Sequence, residues 1–156
     1  MTINGRMSIS FPETFSPLDQ NARENMHFYG REPAVCLQDK DLHMIVIISY
    51  QDLPLISRIM LNDREVVSSM ERSCAQAMKS YEYRLIEFMN RQIGGKTGYG
   101  FHYTYSVEGV PMAGECCSVR DGKLMYNLYA YYREQLREDS AAAWETIVES
   151  VKWIGT

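Results

Sequence analysis

The 156-residue chain has no surplus of basic charge, no long apolar run and no catalytic signature. Each absence removes a class of function. Sixteen Lys and Arg against twenty Asp and Glu give a net charge of −4, the reverse of the basic patch that a nucleic-acid binder presents. The charges are dispersed, so no block marks an interaction tail. No apolar stretch approaches the roughly 20 residues that cross a bilayer, which excludes membrane insertion by a helix. The greasiest run, Leu42 to Tyr50, is of strand length. The start, Met1 to Arg6, lacks the apolar segment of a signal peptide, so the expected location is the cytoplasm. Cys36, Cys74, Cys116 and Cys117 form neither a C-x-x-C pair nor a secreted disulfide framework, and read as reduced, mostly buried thiols.

Reaction chemistry is equally thin. No G-x-S-x-G elbow occurs. Gly94-Gly-Lys-Thr97 has the tail of a phosphate loop, but the first glycine of that motif falls on Asn90. It also joins two expected strands, so no helix N-terminus stands ready for phosphate. His27 and His43 have no carboxylate or cysteine at ligand spacing, so no metal is expected. Nothing calls for a cofactor, and the chain is not expected to be an enzyme.

What the chain does have is eleven tyrosines, ten methionines and a clear hairpin signal. From Thr97 to Tyr132, three alternating segments are separated by Glu108-Gly109 and Asp121-Gly122. Asp-Gly is a strong hairpin dipeptide because both residues tolerate the positive φ of a primed turn; Glu-Gly is a weaker one. Upstream, Met7 to Phe11 is a short strand stopped by Pro12, and Asn25 to Gly30 suggests a brief strand carrying His27 and Tyr29. Ala34 to Gln38 and Leu42 to Tyr50 are strands around an Asp39-Lys40-Asp41 turn. The second, rich in Ile and Val, suits a central strand covered on both faces.

Asn62 opens a helix, with Glu65 as its capping partner. Val66, Val67, Met70, Cys74, Ala77, Met78 and Tyr81 make its apolar stripe. Pro54 to Leu61 adds a possible short turn of helix before it. Tyr83 to Arg91 returns to strand. A final helix is expected from Asp139 or Ser140 to Ile154, burying Trp144, Ile147, Val148, Val151 and Ile154. The order gives one α+β domain over residues 1–156, with about six mostly antiparallel strands and two main helices.

Several stretches carry a family likeness. Ser8-Ile-Ser-Phe-Pro12 resembles an opening strand ending in Phe-Pro. Ile93-Gly-Gly leads into the aromatic strand Tyr99-Gly-Phe-His-Tyr103, and Trp144 to Ile154 resembles a closing helix. With a hairpin and one long helix between, nearly the whole chain resembles the Mog/PsbP/DcrB superfamily, an α/β/α sandwich. The resemblance implies non-enzymatic protein binding: the Mog branch binds the Ran GTPase, the PsbP branch supports photosystem II, and a bacterial branch shelters secretion effectors. The implied role is that of an adaptor or chaperone for another protein. No contact motif of the family maps onto residues here, and many of its bacterial members are exported or lipidated.

Counting back from two-residue turns pairs His102 with Glu115 and Glu115 with Leu128; a turn at Gly94-Gly95 adds Glu87 beside His102. An imidazole between two carboxylates is expected to hold its proton more tightly. The row Glu87–His102–Glu115 is therefore the candidate pocket of a small-molecule binder or small enzyme, against the plainer reading of a cross-strand ion pair. On the other face Tyr103 pairs with Gly114 and Gly114 with Tyr129, and Tyr105 with Met112 and Met112 with Tyr131. Tyrosine rings can close over the gap at Gly114. Tyr103, Tyr105, Met112, Tyr129 and Tyr131 thus form the expected partner-binding surface, unless they pack beneath a helix. A one-residue slip would exchange the two faces. A monomer is expected, or a weak dimer sharing the edge made by the first short strands.

Overall fold

Paired residues at positive φ close the hairpins that build the sheet. Gly94 and Gly95 have φ of 59° and 85°, and Glu108 and Gly109 have 50° and 81°, as a type I′ turn requires. The computed structural model describes residues 1–24, 33–54 and 62–155. The expected strand over 25–30 lies outside them, as does the expected helical turn over 54–61 apart from Pro54. The strands are β1 (Thr2–Ile3), β2 (Met7–Ser8), β3 (Ser16–Pro17), β4 (Val35–Asp39), β5 (Met44–Asp52), β6 (Arg84–Ile93), β7 (Lys96–Val107), β8 (Val110–Asp121), β9 (Leu124–Arg133) and β10 (Lys152–Trp153). The helices are α1 (Gln20–Glu24), α2 (Asp63–Ala77) and α3 (Arg137–Glu149). Seven strands form one antiparallel sheet in the order β3-β4-β5-β9-β8-β7-β6, and β1, β2 and β10 form a small second sheet. The fold is the expected α+β sandwich.

Helix α2 begins as its sequence implies. The Asn62 side chain accepts from the Glu65 backbone N–H at 2.9 Å, and Glu65 accepts from the Asn62 N–H at 3.2 Å. An ion pair of Asp63 with Arg120, 2.7 Å long, fastens that end to β8. Val67, Met70, Cys74 and Met78 then lie on the sheet, whereas Ala77 and Tyr81, expected in the stripe, are exposed. Helix α3 covers the opposite face, where Trp144, Ile147, Val148 and Val151 join Met44, Val46, Ile48, Tyr126 and Leu128 in the larger core. Alternation along β8 divides the layers: Ala113, Cys117 and Val119 face α3, while Cys116 faces α2. The adjacent cysteines do point to opposite faces.

Two expectations about boundaries need correction. Helix α3 ends at Glu149, not Ile154. The Ser150 hydroxyl donates to the Ile147 carbonyl at 2.6 Å and accepts from the Ser10 N–H at 2.8 Å. That fastens the helix end to the N-terminal segment, and the chain turns out to pair β10 with β2. Ile154 is consequently exposed. The Trp153 ring instead lies against Gly94, where an added Cβ would sit 2.8 Å from it.

The second correction concerns the β8–β9 register. Asp121 belongs to β8, paired with Leu124, and the turn is Gly122-Lys123. Gly122 alone has positive φ there, 62°, the pattern of a type II′ turn. Asp121 is held inside by Arg6 at 3.0 Å and Lys96 at 3.4 Å, so it is not available for the turn. The register slips by two residues: Glu115 pairs with Ala130, Gly114 with Tyr131 and Met112 with Arg133. An even slip leaves every side chain on its expected face.

Candidate functional site

The Glu87–His102–Glu115 row forms in the expected register. Its chemistry is another matter. Glu115 is buried and accepts from Arg91 Nε at 2.8 Å and from a second Arg91 nitrogen at 3.0 Å. The Trp144 indole N–H donates to the same carboxylate, and Arg91 also bridges to Glu145 at 2.6 Å. Burial by itself would lower the pKa of Arg91, but its hydrogen bonds to Glu115 and Glu145 carry it above the ordinary value. This cluster ties β6, β8 and α3 together.

His102 does not become a tighter base. Burial first, and then the Arg137 charge, lower its pKa, outweighing Glu115, Glu87 and Glu134. The expected upward shift fails because Glu115 already answers Arg91, and because the first turn of α3 brings a cation to the imidazole. His102 Nε2 is buried without a hydrogen-bond partner, while Glu87 is exposed. The three residues line neither of the two cavities described next.

The tyrosine face lies under α2. Tyr103 and Tyr105 are buried, which corrects their expected availability at the surface; Met112, Tyr129 and Tyr131 are half-buried beside them. Rings of Tyr83, Phe101 and Tyr105 stand 5.3, 5.7 and 5.8 Å from that of Tyr103, and Tyr129 stacks on Tyr131 at 6.4 Å. Gly114 makes room for this packing: an added Cβ would lie 2.4 Å from the Tyr103 ring. A cavity of about 160 Å³ remains between α2 and the sheet, walled by sulfur and phenol groups of Met70, Cys74, Met78, Tyr103, Cys116 and Tyr129. Burial raises the Cys74 pKa to about 11, against the lowering effect of a Tyr103 hydrogen bond.

A surface not foreseen from the sequence runs along β6. This ten-residue strand is the last of the sheet, and Ile86 and Phe88 on it are 46% and 51% exposed. The pairing with β7 shifts between Leu85 and Glu87, a bulge that leaves Ile86 unmatched. Beside the strand lies an open groove of about 390 Å³ bounded by Arg64, Val67, Phe88, Asn90 and Tyr99. The Arg64 guanidinium sits 5.5 Å over the Tyr99 ring. The sequence signal was there, since Leu85-Ile86-Glu87-Phe88-Met89 carries more apolar residues than a one-sided edge needs. Among the described residues the strand at the other end of the sheet, β3, has two residues, one of them Pro17.

Among the described residues no three of His, Cys, Asp and Glu gather as metal donors, and no helix is long and apolar enough to cross a membrane. No protein-family model matches the chain, and no curated protein matches it in sequence. Solved structures do match. The cyanobacterial PsbP protein (CyanoP) of Synechocystis superposes with a TM-score of 0.65 at 11% identity, over 96% of this chain and 93% of its own. LpqN of Mycobacterium tuberculosis, involved in cell envelope biogenesis, gives 0.64 at 11% identity, over 94% and 82%. The chain thus has a PsbP-like fold.

Proposed function

We propose that this chain is a non-catalytic protein-binding domain, an adaptor or chaperone of the Mog/PsbP/DcrB kind, which receives an extended segment of its partner along β6. The observation that carries this reading is the exposure of Ile86 and Phe88 on a long terminal strand next to a groove. A terminal strand offers a row of backbone donors and acceptors, and soluble proteins normally blunt such an edge with charge, proline or brevity. Here it is long and partly apolar. An added strand would take its affinity from main-chain hydrogen bonds, and alternate side chains would drop into the groove against Phe88 and Tyr99. Met112, Tyr129 and Tyr131 belong instead to the cluster beneath α2 and do not line this groove.

The non-enzymatic reading is supported by Glu115, whose carboxylate is occupied by Arg91 and Trp144. Four cysteines outside any disulfide, three of them buried, suit a reducing compartment such as the cytoplasm.

The test is a pair of variants. Ile86→Lys with Phe88→Asp charges the edge while leaving the core in place, and Glu149→Lys changes an exposed residue on the far face. A native partner that co-purifies with the wild type and the Glu149→Lys protein, but is lost from the double variant, supports the proposal. A partner retained by the double variant removes β6 from the interface.

A further inference from the structure

We propose that the cavity beneath α2 is a binding site for a soft monovalent metal ion of the copper(I) class, held by the sulfurs of Cys74, Met78 and Cys116. The first two are successive turns of one helix face, and the Cys74 thiol donates to the Met78 thioether with the sulfurs 3.7 Å apart. A tetrahedral set with metal–sulfur bonds of about 2.3 Å places its sulfurs roughly 3.8 Å apart, so this pair already stands at ligand spacing. Cys116 reaches the same cavity from β8, and Met70 adds a fourth sulfur to its wall.

Donor chemistry selects the ion. Thiolate and thioether sulfur favour copper(I), while carboxylate, carbonyl and water suit magnesium, calcium and manganese. Structural zinc takes four Cys or His ligands; this cavity supplies two cysteines and no histidine. The cysteine ligands bind as thiolates, so binding replaces the sulfur–hydrogen bonds of Cys74 and Cys116 with sulfur–metal bonds and releases two protons to solvent, with no change of oxidation state.

Support for the ligands is built in. The phenols of Tyr103 and Tyr129 line the same cavity as Cys74 and Cys116, and polar partners of this kind orient metal ligands. The ion has a route in, because exposed Ser69 and Ser73 border the cavity on the helix side.

The experiment is an anaerobic titration of the full chain with copper(I) in the presence of the chromophoric chelator bicinchoninate, with silver(I) and zinc(II) in parallel. The expected result is one equivalent of copper(I) withdrawn from the chelator, with silver(I) competing and zinc(II) not. Met78→Leu keeps the volume of the site and Cys74→Ala removes its thiolate. Each, verified as folded by circular dichroism, should weaken binding by at least about tenfold, the scale of losing even a supporting contact at a metal site. Cys36→Ala and Cys117→Ala should bind as the wild type does. Failure of the wild type to compete for copper(I), equal affinity for zinc(II), unchanged binding by Met78→Leu, or loss of binding in Cys36→Ala would each overturn the assignment.

Discussion

Removing the Glu115 side chain should cost more than any single surface change, because one carboxylate answers a half-buried guanidinium and a buried indole. In Glu115→Ala the Arg91 guanidinium loses bonds of 2.8 and 3.0 Å, and the Trp144 N–H is left without an acceptor in the core. Breaking a buried ion pair from one side costs about 3–5 kcal/mol. Arg91 keeps its bridge to Glu145, but that carboxylate is 49% exposed and offsets little. The stranded indole N–H adds about 1–3 kcal/mol. These terms overlap, so the expected loss is about 4 kcal/mol. At roughly 2–4 °C per kcal/mol for a chain of this size, the melting temperature falls by about 10 °C. Equilibrium urea unfolding with an unchanged m-value measures the loss directly. Replacing the whole cluster with apolar groups (Arg91→Met, Glu115→Leu and Trp144→Phe) should cost less than Glu115→Ala alone, since no polar group is then stranded. A loss under about 1 kcal/mol for Glu115→Ala, the scale of an exposed pair, would refute the reasoning.

Gly114→Ala should destabilise the fold by about 1–3 kcal/mol, as overpacked sites do, because its methyl group would meet the Tyr103 ring; thermal melting with near-ultraviolet circular dichroism reports both effects. His102 binds its proton less tightly in the folded chain than in the unfolded one, so its contribution is present above the ordinary imidazole pKa and lost as pH falls through that range. The stability of His102→Gln, followed by urea midpoints from neutral to mildly acidic pH, should therefore depend less on pH than the wild type does. Asp121 is also held below its ordinary pKa, first by the Arg6 hydrogen bond and then, against burial, by Lys96. Its stabilisation is present above the unfolded carboxylate pKa and disappears as pH falls through the folded value; NMR titration of Asp121 should move upward in Arg6→Ala.

Local rules carried the reading of the sheet a long way. Two Gly-containing dipeptides, Gly94-Gly95 and Glu108-Gly109, were enough to set Glu87 beside His102 and Tyr103 beside Gly114. The third failed for a reason outside its neighbourhood: Asp121 is used by Arg6, far away in the chain. The end of α3 failed likewise, because Ser150 meets Ser10. Burial of the tyrosines depends on where α2 lies, and the exposure of β6 depends on β9 pairing with β5, which leaves β6 outermost. Neither is written in a local pattern. The sulfur-lined cavity is intermediate: the i, i+4 spacing of Cys74 and Met78 is visible on the helix, but Cys116 joins them only when the helix docks.

The most direct test of the β6 account is photocrosslinking in the native cell, with benzoylphenylalanine placed at position 88 and, in a second protein, at position 149. The account predicts a single protein adduct at position 88, with the crosslinked peptide lying in an extended segment of the partner, and none at position 149. An adduct at position 149 and none at position 88 would contradict it.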